Sequence, residues 1–296
     1  MEHRSILITE TSSDYELLDS GDGEKLERLG KVILARPDPQ ALWLKHLDKK
    51  RWQDANVIFK PGEGGKSGSW KVSMGVPKSW QITFTELGLV FKIVLAPFKH
   101  IGLFPEQYAN WQWIIDKIKA TDRPTSVLNL FGYTGGATLA ALSAGAQVVH
   151  VDGSKTAIAL AKENATLSKL SDKPVRWIID DAKKFVDREI RRGNKYDAII
   201  MDPPAFGHGA KGELWKIEED LTPLIETAMK LLSDKPLFFI LNGYSAGYSS
   251  IAYENNLKPL VQKFNGVLES GELTLRESSE GGRLLPCGIF ARWSAF

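Results

Sequence analysis

The sequence of 296 residues contains one cysteine, Cys287. An intramolecular disulfide and a paired-cysteine zinc site are therefore excluded, and a reducing compartment is expected. Long apolar runs are missing too. The longest clean stretch, around residues 236–241, is about eight residues, against the ~20 that a membrane-spanning helix needs. The first five residues, Met-Glu-His-Arg-Ser, lack the apolar core of a secretory leader. A soluble, cytoplasmic protein without a membrane partner is the expectation. Charge of one sign is also missing: 38 Lys+Arg against 36 Asp+Glu leave a formal +2. That excludes a polybasic tail and an acidic disordered chain, but leaves room for local basic patches. No internal repeat or low-complexity tract occurs. Only five histidines are present, and no second His or Cys stands at ligand spacing from His208, so no metal is expected. What is there is 43% hydrophobic, enough for a large core at this length. One large domain, or one large and one small, follows from roughly 100–200 residues per domain.

The chain changes rhythm near residue 109. In residues 1–108, short segments rich in Val, Ile, Phe and Trp alternate with Gly/Pro turns. Strands are expected at 30–34, 55–59, 70–76 and within 80–95, with a loop at 61–68. This predicts a small, mostly β N-terminal domain. In residues 109–296 helices and strands alternate. A helix over 110–120 carries Trp111, Ile114, Ile115 and Ile118 on one stripe. Strands at 127–131, 146–151, 175–179, 196–201 and 237–241 are separated by helices at 137–144, after the cap Ser154 to 167, at 182–192 and across most of 214–232. This pattern is that of an α/β, Rossmann-like, doubly wound, mostly parallel sheet. Residues 268–276 and 284–293 read as an antiparallel hairpin on its edge.

Ligands of such sheets bind beyond the carboxyl ends of the strands. The first strand is followed by Phe131-Gly132-Tyr133-Thr134-Gly135-Gly136 and the second by Asp152. Asp180-Asp181-Ala182 follows the third, and Asp202-Pro203-Pro204-Ala205-Phe206 the fourth. Glycines there admit a close ligand, and the next helix offers free N–H groups. An acid about twenty residues beyond the glycine turn can take ribose hydroxyls. The spacing G-x-x-G-G differs from the G-x-G-x-x-G of dinucleotide binders. It suits a nucleoside joined to an amino acid, the shape of S-adenosylmethionine. Each acid also has a plainer use, as a helix cap or a strand-ending turn.

At these motifs the sequence resembles class I S-adenosylmethionine-dependent methyltransferases, and more narrowly the group around the ribosomal large-subunit RNA methyltransferases I and K. The resemblance spans about residues 100–245. It rests on V-L-N-L-F-G-Y-T-G-G, V-D-G-S, D-D-A, M-D-P-P-A-F-G and the preceding H-I-G-L-F-P-E-Q. It implies a seven-stranded sheet with S-adenosylmethionine as cofactor. Gly132, Thr134, Gly135 and Gly136 would line the methionine end, with Phe131, Tyr133 and Ala182 beside the cofactor. Asp152 would hold the ribose and Asp181 the adenine amino group, with Phe104 and Gln107 closing the site. The sequence departs from the group in two places. No RNA-binding module of the PUA type is evident at the N-terminus. Where members that make 5-methylcytosine carry a cysteine after the fifth strand, this chain reads Leu241-Asn242-Gly243-Tyr244-Ser245. Without that thiolate, carbon methylation of cytosine is not expected.

The second proline makes the acid-Pro-Pro turn stiff. Asp202 and the Pro203 carbonyl can accept from a base amine, and Phe206 offers a stacking face for a flipped base. Asp202, Pro203 and Phe206 are thus the candidate catalytic residues of an N-methyltransferase acting on a base in RNA, with ribosomal RNA as the partner. His208 or Lys211, in the following loop, would meet a phosphate. Lys45, His46, Lys49, Lys50 and Arg51 interleave with Trp43 and Trp52, a composition that suits single-stranded RNA, but the favoured reading is structural, with the tryptophans packed in the core or at an interface. Arg188, Arg191, Arg192 and Lys195 read as a solvated helix face. A small-molecule or protein acceptor, or a non-catalytic cofactor-binding protein, are the alternatives. Monomer and homodimer are both left open.

Overall fold

Central strands buried on both faces dictate the architecture. The computed structural model describes residues 2–62, 67–96, 99–208, 212–244, 247–279 and 281–296. Two compact units are formed. One comprises Met1–Leu7, Ala109–Leu273 and Gly288–Phe296, the other Ile8–Tyr108 and Thr274–Cys287.

The first strand, β1 (Glu2–Thr9), belongs mainly to the larger unit. The smaller unit then opens with β2 (Tyr15–Gly21), β3 (Glu24–Leu29) and β4 (Val32–Pro37). After the short helix α1 (Lys49–Gln53) come β5 (Val57–Pro61) and β6 (Gly68–Val72). These five strands pair in the order β2-β3-β4-β5-β6. A separate hairpin joins β7 (Ser79–Phe84) to β8 (Leu89–Val94). The mostly β character expected here is present, with shifted boundaries. Gly30, expected to begin a strand, has φ +63° and makes the turn between β3 and β4. Part of the expected loop at 61–68 lies outside the described residues. The 3-10 turn Pro105–Gln107 follows β8 in the chain.

In the larger unit, α2 (Tyr108–Lys119) precedes β9 (Ser126–Leu130), α3 (Gly136–Ser143), β10 (Gln147–Asp152), α4 (Lys155–Leu167) and β11 (Val175–Ile179). Then come α5 (Ala182–Arg191), β12 (Ala198–Met201), a small hairpin of β13 (Phe206–His208) and β14 (Leu214–Lys216), and α6 (Ile217–Met229). The chain ends with β15 (Phe238–Gly243), α7 (Ser250–Phe264), β16 (Val267–Arg276) and β17 (Leu284–Ser294). One sheet runs β1-β16-β17-β15-β12-β9-β10-β11. Strands β15, β12, β9, β10 and β11 are parallel, and β17 is antiparallel to β15. This is the doubly wound, Rossmann-like sheet expected, as the apolar runs of β12 and β15 require. Leu128, Leu130, Val151, Ile199, Met201 and Leu241 share one apolar cluster with side chains of α5, α6 and α7. Residues between them face the other layer, as the period of two demands.

The structure departs from the expected sheet in one place and adds two elements. The sheet has eight strands rather than seven, because β1 pairs outside β16 and takes the edge expected of the hairpin. Gly271 of β16 permits this, lying against the Ser5 backbone carbonyl where any β-carbon would collide. The helix expected across most of 214–232 is α6, and before it lies strand β14, paired with β13 through Phe206↔Lys216. Helix α7 was not expected at all. Pro259 lies inside it, and an internal proline masks a helical period.

Candidate active site

The carboxyl ends of β11, β10, β9 and β12 stand side by side. Backbone bonds lock them in register. Gly132 N–H donates to Val151 O at 3.0 Å, Asp180 N–H to Asp152 O at 3.1 Å, and Asp202 N–H to Leu130 O at 3.4 Å. Gly132, Asp152, Asp181 and Asp202 thereby reach one edge of one sheet.

The Phe131–Gly136 turn is held in a costly shape. Phe131 and Tyr133 have φ of +57° and +47°, left-handed values for side-chain-bearing residues, each worth about 1–3 kcal/mol of strain. Gly135, at φ +93°, leads into α3. Several neighbours impose the shape. Tyr133 N–H donates to Asp152 Oδ2 at 2.8 Å. The buried Asn164 amide donates to Thr134 O at 2.9 Å. The Trp111 ring packs against Gly136, and the His150 ring against Gly132. His150 in turn lies 2.9 Å from Thr138 Oγ1 through Nδ1, and Thr138 accepts from the Asn129 amide at 2.9 Å. Burial pushes the His150 imidazole down to about 3, so it is neutral at physiological pH. Trp177 covers it, 4.8 Å between ring centroids.

Asp152 accepts Tyr133 N–H and, at 2.7 Å, Ser154 N–H. Burial raises its pKa and these two donors oppose the rise. A carboxylate has about four acceptor sites, so capacity remains for a diol. Asp181 is buried and caps α5, accepting Lys184 N–H at 2.9 Å. Ala182, first in that helix, is buried as well. Asp180 is engaged by the Arg188 guanidinium. The donors and acceptors at this edge therefore match a nucleoside with an amino-acid tail: carboxylates for hydroxyl and amine, and a glycine turn at a helix N-terminus for the charged end.

The Asp202-Pro203-Pro204 turn is fixed from below. Trp215 Nε1–H donates to Pro204 O at 2.6 Å, and its ring lies 5.0 Å from that of Phe131. One side chain thus joins the acid-Pro-Pro turn to the glycine turn. Asp202 is half-buried, Pro203 buried and Phe206 58% exposed. Phe104 and Gln107 belong to the smaller unit. There Phe104 lies 5.9 Å from the His100 ring, and Gln107 is buried in the 3-10 turn. The His208 side chain and Lys211 lie outside the described residues.

The basic clusters keep to the structural reading, with Arg191, Arg192 and Lys195 exposed on their helix end. Trp52 is buried, donating to Asp19 Oδ2 at 3.0 Å, with Lys45 3.9 Å above its ring. Trp43 donates to Ser20 O at 3.0 Å. The two indoles interleaved with the first cluster thus serve the fold. In the second cluster, Arg188 pairs with Asp180, Arg192 with Glu189, and Lys195 donates to Lys230 O. Cys287 is held as a thiol, pushed well above its ordinary value by burial. Among the described residues Asp19, His46 and Glu277 have ligand atoms close together. The Arg283 guanidinium spans both carboxylates, at 2.8 Å each, and supplies the counter-charge. No helix among the described residues is long and apolar enough to cross a membrane.

His150, Asn164, Trp111 and Trp215 carry the site from behind and were not singled out from sequence. His150 did have a signal, as one polar residue inside an apolar strand.

The chain is similar to several known proteins. Residues 64–231 match the family model for S-adenosylmethionine-dependent methyltransferase. A crystal structure described as the S-adenosylmethionine-dependent methyltransferase from Agrobacterium tumefaciens is 40% identical. It covers 100% of this chain and 95% of its own, with a TM-score of 0.94. A ribosomal RNA large subunit methyltransferase K/L from Pseudoalteromonas atlantica is 31% identical over 255 residues, 86% of this chain but 32% of that protein. The chain thus spans about a third of the length of such curated relatives. A methyltransferase solved in complex with SAH shares the fold at 17% identity and a TM-score of 0.66, covering 95% of this chain and 76% of its own.

Proposed function

The chain belongs to the S-adenosylmethionine-dependent methyltransferase family, and from that premise we propose that it methylates a nitrogen of a base in RNA, with ribosomal RNA as substrate. The observation that carries this reading is the meeting, at one sheet edge, of the glycine turn and Asp152 with the stiff Asp202-Pro203-Pro204 turn and the exposed Phe206. The name of the Pseudoalteromonas relative supports ribosomal RNA as the class of substrate.

When bound, S-adenosylmethionine supplies an electrophilic methyl group on a sulfonium. The chain supplies placement. Asp152 takes the ribose hydroxyls and Asp181 the adenine amine, with Ala182 beside it. Phe131, Gly132, Tyr133, Thr134, Gly135 and Gly136 enclose the methionine end, where helix N–H groups of α3 favour the carboxylate. On the acceptor side, Phe206 stacks on the extruded base, and Asp202 with the Pro203 carbonyl accepts from its amine. Holding nitrogen, methyl and sulfur in line is the main requirement, since intramolecular alignment alone is worth several kcal/mol of barrier. Asp202 also stabilises the positive charge that grows on the nitrogen. The single cysteine and the RNA substrate favour a cytoplasmic location.

A small-molecule or protein acceptor is the second reading. It is favoured by the ion-pairing of the α5 cations and the burial of Trp52. The deciding experiment incubates RNA, protein and metabolite fractions from a strain lacking the gene with radiolabelled S-adenosylmethionine. Label in RNA is expected. Label in another fraction alone overturns the RNA reading, and label nowhere overturns methyl transfer.

A further inference from the structure

Tyr253, on α7, is 1% exposed, yet its hydroxyl has no hydrogen-bond partner among the described residues. Nearly every buried hydroxyl is bonded, because an unbonded one forfeits its solvation for nothing in return. Phenylalanine would fill the same space in the apolar cluster to which Tyr253 belongs without that penalty. The hydroxyl is therefore not explained by packing.

Its position is specific. The tip of the phenol rests against Gly243, the last residue of β15. A β-carbon at Gly243 would lie 2.5 Å from the Tyr253 ring carbon that bears the hydroxyl. Glycine is what lets the phenol reach the carboxyl edge of the sheet. Strand β15 neighbours β12 with Leu241 opposite Met201, so the residues just beyond, Gly243 and the Asp202-Pro203 turn, stand abreast. Burial first, and then the Asp202 charge, push the phenol up to about 12. It therefore stays a proton donor at neutral pH, beside the turn that would hold the acceptor.

We propose that Tyr253 is an acceptor-binding, specificity-determining residue, whose hydroxyl donates to a carbonyl oxygen or unprotonated ring nitrogen of the base being methylated. This deepens the RNA reading above and rests on it. The base supplies the partner that the hydroxyl lacks. Asp202 takes the amine while Tyr253 tests for an acceptor atom elsewhere on the same ring. A site with one polar group of each kind distinguishes bases by their donor and acceptor pattern, as hydrogen-bonding pockets do.

The test is Tyr253→Phe, assayed on protein-free large-subunit ribosomal RNA from a strain lacking the gene, with radiolabelled S-adenosylmethionine. The expected result is a fall in kcat/KM for RNA on the order of tenfold, the size of one lost neutral hydrogen bond. Affinity for S-adenosylhomocysteine, read by calorimetry, stays at the wild-type value, and the melting temperature is equal or higher. Wild-type kcat/KM in the variant overturns the proposal, as does a lowered melting temperature with a matching loss of S-adenosylhomocysteine binding. If the wild-type enzyme labels no RNA, the RNA reading itself has failed, a result distinct from an unaffected Tyr253→Phe enzyme.

Discussion

The backbone of Gly132 faces the ring of His150 with no room between them for a side chain. A β-carbon on Gly132 would lie 2.5 Å from a ring carbon of His150, so the glycine turn sits directly on the imidazole. Gly132→Ala should therefore lift the turn, weakening S-adenosylhomocysteine binding at least about tenfold and costing about 1–3 kcal/mol of stability. His150→Ala in the same chain should restore part of both losses. A double-mutant cycle by calorimetry and thermal melting reads this coupling. Strict additivity of the two substitutions would show that the contact is not what shapes the turn.

The same histidine makes the protein acid-labile. Its pKa is near 3 when folded, against an ordinary 6.5. Between those values the unfolded chain binds a proton that the folded chain does not. Stability rises with pH across that window and is lost as pH falls from about 6.5 toward 3, by on the order of 1 kcal/mol per pH unit. In His150→Asn this component should vanish. Urea unfolding at pH 4.5, 5.5 and 6.5 measures it, and parallel slopes for wild type and variant would contradict the assignment.

Trp215 ties the acceptor turn down through Pro204 O. Trp215→Phe keeps the ring against Phe131 but removes the donor. Turnover should fall on the order of tenfold while cofactor affinity stays within about twofold, because only acceptor alignment is disturbed. A matching loss of cofactor affinity would place Trp215 in the wrong half of the site.

In the smaller unit, Arg283 is bonded to Asp19 and Glu277, both fully buried. Arg283→Ala leaves two buried carboxylates without their counter-charge, a loss of about 3–5 kcal/mol. Denaturant unfolding should show an earlier transition for the variant. An unchanged midpoint would mean that other donors already satisfy the carboxylates.

Much of the site was legible because a parallel sheet turns chain order into geometry. Buried strands such as β12 give apolar runs, and the residue after each run must lie at the carboxyl edge. Hence Asp152 and Asp202 could be placed before any coordinates. Strand β1 could not, since Arg4-Ser5-Ile6-Leu7 pairs with a strand more than 250 residues away, a distance over which local periodicity carries no signal. Trp52 shows the same limit. Composition shows an indole beside lysines, but only the fold shows its N–H buried on Asp19. Asp181 is intermediate, since the helix-capping bond foreseen as its plainer use is present. An oxygen that caps a helix can still present its partner oxygen to a ligand. The residues behind the glycine turn, Asn164 and Trp111, come from helices whose facing could be read but whose opposite numbers could not.

The central claim is that the edge formed by Gly132, Asp152, Asp181 and Asp202 binds a nucleoside carrying an amino acid. Calorimetric titration of wild type, Asp152→Ala and Asp202→Ala with S-adenosylhomocysteine tests it most directly. One site per chain is predicted for wild type, retained in Asp202→Ala and weakened at least about a hundredfold in Asp152→Ala, as the loss of two hydrogen bonds to a charged acceptor implies. Undiminished affinity in Asp152→Ala, or no binding to the wild-type protein, would contradict it.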